Sequence, residues 1–258
     1  MTESEPDTRY LVLQDGWLKL PVGADAESPS KPGGRLLLGL NQLLLRISGS
    51  NVLIDTGLGS KWTPEQVGLL DFERPRHNVE GIVSFGITPE EIDYVVLTHL
   101  HYDHSGGATS ETASGLAPTF TNSLYYLQRA ELQHAQAVSL DPTRGYRQET
   151  FEPLIRSGSL QLLEGDIELL PGLWVFQAPG HTPGHQVVYA NMGEVKLFFP
   201  GDLFATREHA RMSVPKEGHN HDLQMMVRER AKWRKRALDE GWRTVFCHAL
   251  RDPIGILD

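Results

Sequence analysis

The stretch Thr98-His99-Leu100-His101-Tyr102-Asp103-His104 places three imidazoles and a carboxylate within six residues. On a helix, His99 and Asp103 would share a face while His101 pointed away. On a strand, His99, His101 and Asp103 would align and His104 would face the other side. The expectation is therefore a loop that turns all four onto a common centre, for which a metal ion is the fitting occupant. Ile92-Asp93-Tyr94-Val95-Val96-Leu97, just before, reads as a short buried strand, and Ser105-Gly106-Gly107, just after, allows a tight turn. The cluster then sits at the carboxyl end of a strand, where α/β folds place ligands.

The arrangement recurs along the chain. Val52-Leu53-Ile54 runs into Asp55, Leu173–Phe176 into Pro179-Gly180-His181, Val195–Phe199 into Pro200-Gly201-Asp202, and Thr244–Phe246 through Cys247 into His248. Each is an apolar, β-prone segment ending on a histidine or an aspartate. Five such ends imply one site shared by strands distant in sequence.

In order and relative spacing, HLHYDH, His181 in GHTPGH, Asp202 in PGD and the late His248, preceded by Asp55, resemble the metallo-β-lactamase superfamily across roughly residues 36–250. The resemblance implies an α/β fold, an αββα sandwich of two mixed β-sheets flanked by helices, with a di-metal site at one edge. It also implies one hydrolase domain over residues 1–258, with residues 1–9 disordered. Carried over residue by residue, His99, His101 and His181 would bind one ion and Asp103, His104 and His248 the other. Asp202 would bridge them and Asp55 would support the cluster from behind. Neutral imidazoles and carboxylates suit zinc foremost, with manganese, iron or cobalt as alternatives. Two such ions would present a bridging hydroxide as nucleophile, with Asp103 and Asp202 as the catalytic carboxylates.

Within the superfamily, Asp202 and the absence of a signal peptide disfavour true β-lactamases, and no basic arm suits a ribonuclease. The glutathione thioesterases carry an extra helical domain, for which little chain remains after His248. The branch most resembled is that of the N-acyl homoserine lactonases of quorum quenching, through the stretch Gly201–His209 and the helix ending in Glu240-Gly241-Trp242. A small ester or lactone is then the expected substrate. Related lactonases place a tyrosine three residues after the bridging aspartate, where this chain has Ala205. Organophosphate triester or other ester hydrolysis is therefore the alternative, ahead of a thioesterase or an iron-dependent oxygenase.

Composition agrees with such an enzyme. Acidic residues outnumber basic ones, 33 to 24, for a net charge of −9, and no basic stripe invites nucleic acid. The acidic start lacks an apolar h-region, no run is long enough for a membrane span, and the one cysteine excludes an internal disulfide. A cytoplasmic location is the expectation.

Other residues carry weaker expectations. His185 is read as a support behind the metal ligands, because Pro183-Gly184 breaks the helix that its spacing from His181 would need. Phe204, His219 and His221 are candidate substrate contacts, although a solvated loop suits the two histidines better. His209 is a weaker case, His77 could line the cleft, and His134 is expected on an ordinary surface. Tyr102 should pack away from the metals. Cys247 should face away from His248 as a small hydrophobe.

Strands are expected over Tyr10–Leu18 and, as a pair, within Leu36–Ile47, and helices over Arg129–Val138 and Leu223–Glu240. Thr88-Pro89-Glu90-Glu91 reads as a capped helix start. Residues 21–34 and 105–118 read as loops, and residues 58–86 as a wall of the cleft. The apolar stretches Leu36–Leu45 and Trp62–Leu70 leave room for a homodimer.

Overall fold

The period-2 alternation of the central strands dictates two packed sheets. In the run Val52-Leu53-Ile54, Val52 and Ile54 join one apolar cluster and Leu53 another. Leu43, Leu44 and Leu45 alternate in the same way, so each strand serves an inner and an outer core.

The computed structural model describes residues 9–21, 35–64, 72–73, 78–212 and 220–257. Along the chain the strands are β1 (Arg9–Pro21), β2 (Arg35–Ile47), β3 (Ser50–Ile54), β4 (Phe72–Glu73) and β5 (Tyr94–Val96). They continue as β6 (Thr109–Thr112), β7 (Gly115–Pro118), β8 (Leu124–Gln128), β9 (Leu160–Leu163) and β10 (Ile167–Leu170). The last are β11 (Leu173–Gln177), β12 (Gln186–Met192), β13 (Val195–Phe199), β14 (Arg243–Val245) and β15 (Ile254–Gly255). The helices are α1 (Asn78–Ser84), α2 (Tyr102–Ser105), α3 (Arg129–Val138), α4 (Gln148–Ser157), α5 (Arg207–Arg211) and α6 (Leu223–Asp239).

Among the described residues, one sheet has the order β4-β1-β2-β3-β5-β8-β9 and the other β10-β11-β12-β13-β14-β15. Both are mixed: β3, β5, β8 and β9 run parallel, and β13 pairs parallel with β14 in a sheet otherwise antiparallel. The middle core joins Leu43, Leu45, Val52, Ile54 and Val96 of the first sheet to Val175, Val188, Leu197, Phe199 and Val245 of the second. An outer core packs Leu53, Val95 and Leu127 under α1, α3 and α4, and another packs Phe176, Phe198 and Phe246 under α6. The result is the αββα sandwich that the motifs implied.

Several local readings need correction. Residues 35–47 form one long strand rather than two, because β1 accompanies β2 over nearly its whole length. Of its leucines, Leu38, Leu40, Leu43, Leu44 and Leu45 are buried and serve the interior. Residues 105–118 are not a plain loop but a 3-10 turn followed by the β6-β7 hairpin. The capped start at Thr88 is present, with Thr88 N donating to Glu91 Oε2 at 2.8 Å, yet it opens only a 3-10 turn, Pro89–Glu91. The helices expected over Arg129–Val138 and Leu223–Glu240 form with those bounds to within a residue. Of the loop expected over 21–34, Pro21 ends β1 and residues 22–34 lie outside the described residues, as do residues 1–8, His77 and part of 58–86. No described helix is long and apolar enough to cross a membrane.

The middle core holds the two sheets at the spacing on which the strand-end loops depend. Phe199, fully buried there, is the sharpest probe, since its whole ring lies within that core. Phe199→Ala should cost about 3–5 kcal/mol of stability, read as a lowered midpoint in urea unfolding with little change in slope.

Candidate metal centre

Five strand ends deliver the polar groups: Asp55 follows β3, His99 follows β5, His181 follows β11, Asp202 follows β13 and His248 follows β14. The HLHYDH stretch is not the loop that the residue pattern suggested. His101 is extended at the start of α2, and Asp103 and His104 ride on the single turn of that helix. An extended His101 followed by one helical turn aims His99, His101 and His104 inward together, a combination that neither regular element achieves alone. The turn is pinned by Ser105 Oγ donating to His101 O (3.0 Å) and Thr56 N donating to His104 O (2.7 Å).

Two groups of donor atoms result. In the first, His101 Nδ1 lies 3.0 Å from His99 Nε2 and 3.1 Å from His181 Nε2, and Asp202 Oδ2 lies 3.2 Å from His181 Nε2. In the second, His104 Nε2 and His248 Nε2 are 3.2 Å apart, with Asp202 Oδ1 3.2 and 3.1 Å from them. Asp103 Oδ2 completes this group at 3.9 and 3.6 Å from the same two nitrogens. Each oxygen of Asp202 therefore faces a different group.

The outward nitrogens fix the tautomers. His99 Nδ1 faces Thr98 Oγ1 (3.0 Å), His104 Nδ1 faces Asp55 Oδ2 (2.8 Å), His181 Nδ1 faces Asn220 Oδ1 (3.1 Å) and His248 Nδ1 faces Gly39 O (2.8 Å). An imidazole donating outward turns a lone pair inward when neutral. Converging lone pairs repel unless a cation lies among them, so the donor set fits divalent metal ions. Burial lowers the pKa of His99 well below the ordinary histidine value, and His104 and His101 push the same way. Burial also opposes charge on His104 and His248, but Asp202 foremost among the carboxylates outweighs it and raises both. Burial opposes ionisation of Asp202 as well, yet His248, His104 and His181 hold its carboxyl well below the usual range.

Behind these groups Asp55 holds three donors, Thr98 N (2.7 Å), Thr98 Oγ1 (2.8 Å) and His104 Nδ1. It does so from a left-handed backbone, φ 57°, a conformation tolerated by aspartate and fixed here by Asp55 N donating to Val96 O. His185 is buried and holds the bridging turn: its Nδ1 donates to Ala178 O and its Nε2 accepts from Asp202 N, both at 3.2 Å. Burial, reinforced by His181, lowers its pKa to about 3, which suits an acceptor. A side chain at Gly201 (φ 51°) would meet His185 Nε2 at 2.7 Å, so the turn before Asp202 needs glycine.

Other expected contacts divide. Phe204 is fully buried in the core beneath α6, not on a cleft wall, because the 3-10 turn Gly201–Phe204 directs it inward. His219 lies outside the described residues. His221 is exposed, and its ring meets His134 at 5.2 Å, with Tyr146 5.5 Å from His134 on the other side. His134 is thus part of an aromatic group beside His101 rather than ordinary surface. His209 is mostly buried, which lowers its pKa, and it feels the charges of Asp202 and His248. Tyr102 packs edge-on against Trp62 at 5.8 Å. Cys247 departs from expectation: although it joins the middle core, its Sγ donates to Asp202 Oδ1 at 3.3 Å. The chain leaves the regular strand at Val245, so alternation no longer fixes where Cys247 and His248 point.

Three positioning residues carried no motif. Buried Glu131 accepts from Leu100 N (2.9 Å), Tyr146 Oη (3.1 Å), Thr182 Oγ1 (2.5 Å) and Gly184 N (3.2 Å), tying the His99–His101 segment to the His181 loop. Gln186 spans the sheets, its N donating to Thr98 O and its Nε2 to Leu97 O. Asn41 Nδ2 donates to Phe246 O and Ala249 O, holding the His248 loop to β2. The available signal was a polar residue interrupting an apolar run, as at Asn41 between Leu40 and Leu43.

A family model described as the metallo-beta-lactamase superfamily matches residues 37–239. The chain belongs to that superfamily. An N-acyl homoserine lactonase of Bacillus cereus is 27% identical over 221 residues, 81% of each chain. Among solved structures, a probable metal-dependent hydrolase from Staphylococcus aureus superposes with a TM-score of 0.82 at 22% identity, covering 95% of this chain and 90% of that one. An N-acyl homoserine lactone hydrolase with the product N-hexanoyl-L-homoserine at its catalytic metal centre gives 0.73 at 23% identity, covering 93% of both. Membership in the superfamily makes this protein a metal-dependent hydrolase that works with divalent metal ions.

Asp55→Asn keeps the left-handed backbone but sets an amide N–H₂ against the donors that Asp55 now accepts from. Competition with a chelator should show metal affinity reduced by about 10–100-fold. Unchanged affinity would mean that His104 needs no carboxylate behind it.

Proposed function

We propose that this superfamily member opens lactone rings, with N-acyl homoserine lactones as its substrates, and that zinc ions fill the two donor groups. The observation that carries the reading is the division of the Asp202 carboxylate between two sets of imidazoles. The naming of the Bacillus cereus relative, matched over four-fifths of both chains, supports the lactone class. His99, His101, His181 and Asp202 would hold one ion, and Asp103, His104, His248 and Asp202 would hold the other. Once bound, such a pair supplies a water acidified toward neutrality and a Lewis acid for a carbonyl oxygen.

The chain's own residues do the rest. Asp55, Thr98, Asn220 and the Gly39 carbonyl keep the imidazoles in the tautomers that leave their inner nitrogens unprotonated. His185 and Gly201 set the orientation of Asp202. The Asp103 and Asp202 side chains are 18% and 15% exposed, whereas those of His104 and His248 are 2% and 4%, so substrate approaches from the carboxylate side. Hydrolysis adds water across the ester bond, its hydroxyl going to the carbonyl carbon and its proton to the leaving alkoxide oxygen. Asp103 is the carboxylate placed to carry that proton. Ala205 supplies no side-chain donor; its carbonyl instead accepts from His248 N at 2.8 Å and fixes that ligand's loop.

The test is the ring-opening rate of a medium-chain N-acyl homoserine lactone by metal-loaded protein, followed as acid release in weak buffer. Asp202→Ala should lower it by at least about 100-fold. A wild-type rate no higher than that of the variant, with metals bound, would remove the acyl-lactone reading and favour phosphotriesters.

A further inference from the structure

The carboxylate of Asp202 is divided between two donor groups, yet the contacts that hold its backbone do not fix the plane of that carboxylate. His185 acts on the main chain, its Nε2 accepting from Asp202 N at 3.2 Å, and Gly201 shapes the turn before it. The last torsion of an aspartate joins a tetrahedral to a planar carbon and is broad. Left to that torsion, the carboxylate could swing both oxygens onto one group. Among the described residues, one side chain other than the imidazoles donates to it: Cys247 Sγ reaches Asp202 Oδ1 at 3.3 Å.

That contact comes from the buried side. Cys247 is 1% exposed and packs in the middle core with Phe199, Ala205 and Val245. Its main chain is held on both flanks, Asn41 N donating to Cys247 O and His248 N to Ala205 O, each at 2.8 Å. Oδ1 is the oxygen that faces His104 Nε2 and His248 Nε2, whereas Oδ2 faces His181. The thiol therefore touches the bridging carboxylate only on the side of the second group. Sγ lies within 4.8 Å of donor atoms of His104, Asp202 and His248. Asp103 Oδ2, however, completes that group from the open side, 3.9 and 3.6 Å from the two imidazole nitrogens. The part left to the thiol is that of a hydrogen-bond donor behind the carboxylate.

We infer that Cys247 is a positioning residue for the second group: its S–H holds Asp202 Oδ1 toward His104 and His248 and so sets the affinity of that group alone. The inference rests on the reading that zinc fills both donor groups. Loss of an outer donor to a ligating carboxylate costs about 10–100-fold in metal affinity, and a thiol, as a weak donor, belongs at the lower end.

The test is titration of metal-free wild type, C247A and C247S with zinc against a competing chelator, read as two binding steps. One step should weaken about tenfold in C247A and recover in part in C247S, whose hydroxyl still donates, while the other step is unchanged. Crystals of C247A soaked at zinc levels between the two steps should show a peak among His99, His101 and His181 alone. A packing role would reverse the order of the variants, because serine buries a hydroxyl in an apolar core where alanine buries none. C247S weaker than C247A, or both steps unchanged or weakened alike, would overturn the assignment. So would an intense sulfur-to-metal charge-transfer band in the cobalt-loaded wild type, which would make Cys247 a ligand. If wild type takes up one ion only, the two-ion reading fails, and the affinity for that ion decides the role of the thiol. Binding about tenfold weaker in C247A, with partial recovery in C247S, supports the role; equal binding in the three overturns it.

Discussion

The two oxygens of Asp202 face two different sets of imidazoles, and much of the molecule serves to keep them there. Burial opposes ionisation of this carboxyl, and His248, His104 and His181 around it hold it well below the usual carboxylate range. Those imidazoles come from β5, β11 and β14 or the segments after them, so the division requires both sheets at a fixed separation. The middle core of Val, Leu, Ile and Phe side chains sets that separation, and Gln186 and Asn41 tie the sheets together next to the site.

The centre is built in layers. Inner nitrogens converge, outer nitrogens are held by Thr98, Asp55, Asn220 and Gly39, and Asp55 is itself held in a left-handed backbone by its N–H bond to Val96 O. Glu131 binds the two loops that bring His101 and His181 together, with four donors on one carboxylate. Burial raises the pKa of Glu131, while the bonds from Thr182, Leu100, Tyr146 and Gly184 work to lower it. Openness is found at Asp103, Asp202 and His101, which places the reacting side of the centre at their edge.

The sandwich and the gathering of histidines were legible because both rest on strong local patterns. The continuous apolar runs Leu43–Leu45 and Val52–Ile54 read as buried strands, the order of the motifs gave the sandwich through the family resemblance, and strand ends rich in His and Asp gave the site. What escaped depends on contacts between distant segments. Nothing in Glu131, Gln186 or Asn41 announces its partners, since their acceptors and donors are set by tertiary packing. Phe204 was misplaced because a 3-10 turn reverses the direction that an extended chain would give it. Cys247 was misread because the strand ends two residues earlier than the alternation argument needs.

The most direct test of the account is the anomalous scattering of zinc-soaked crystals of the wild-type protein. It predicts two peaks per chain, one among His99, His101 and His181 and one among Asp103, His104 and His248, with Asp202 between them. A single peak, in either group, would contradict it.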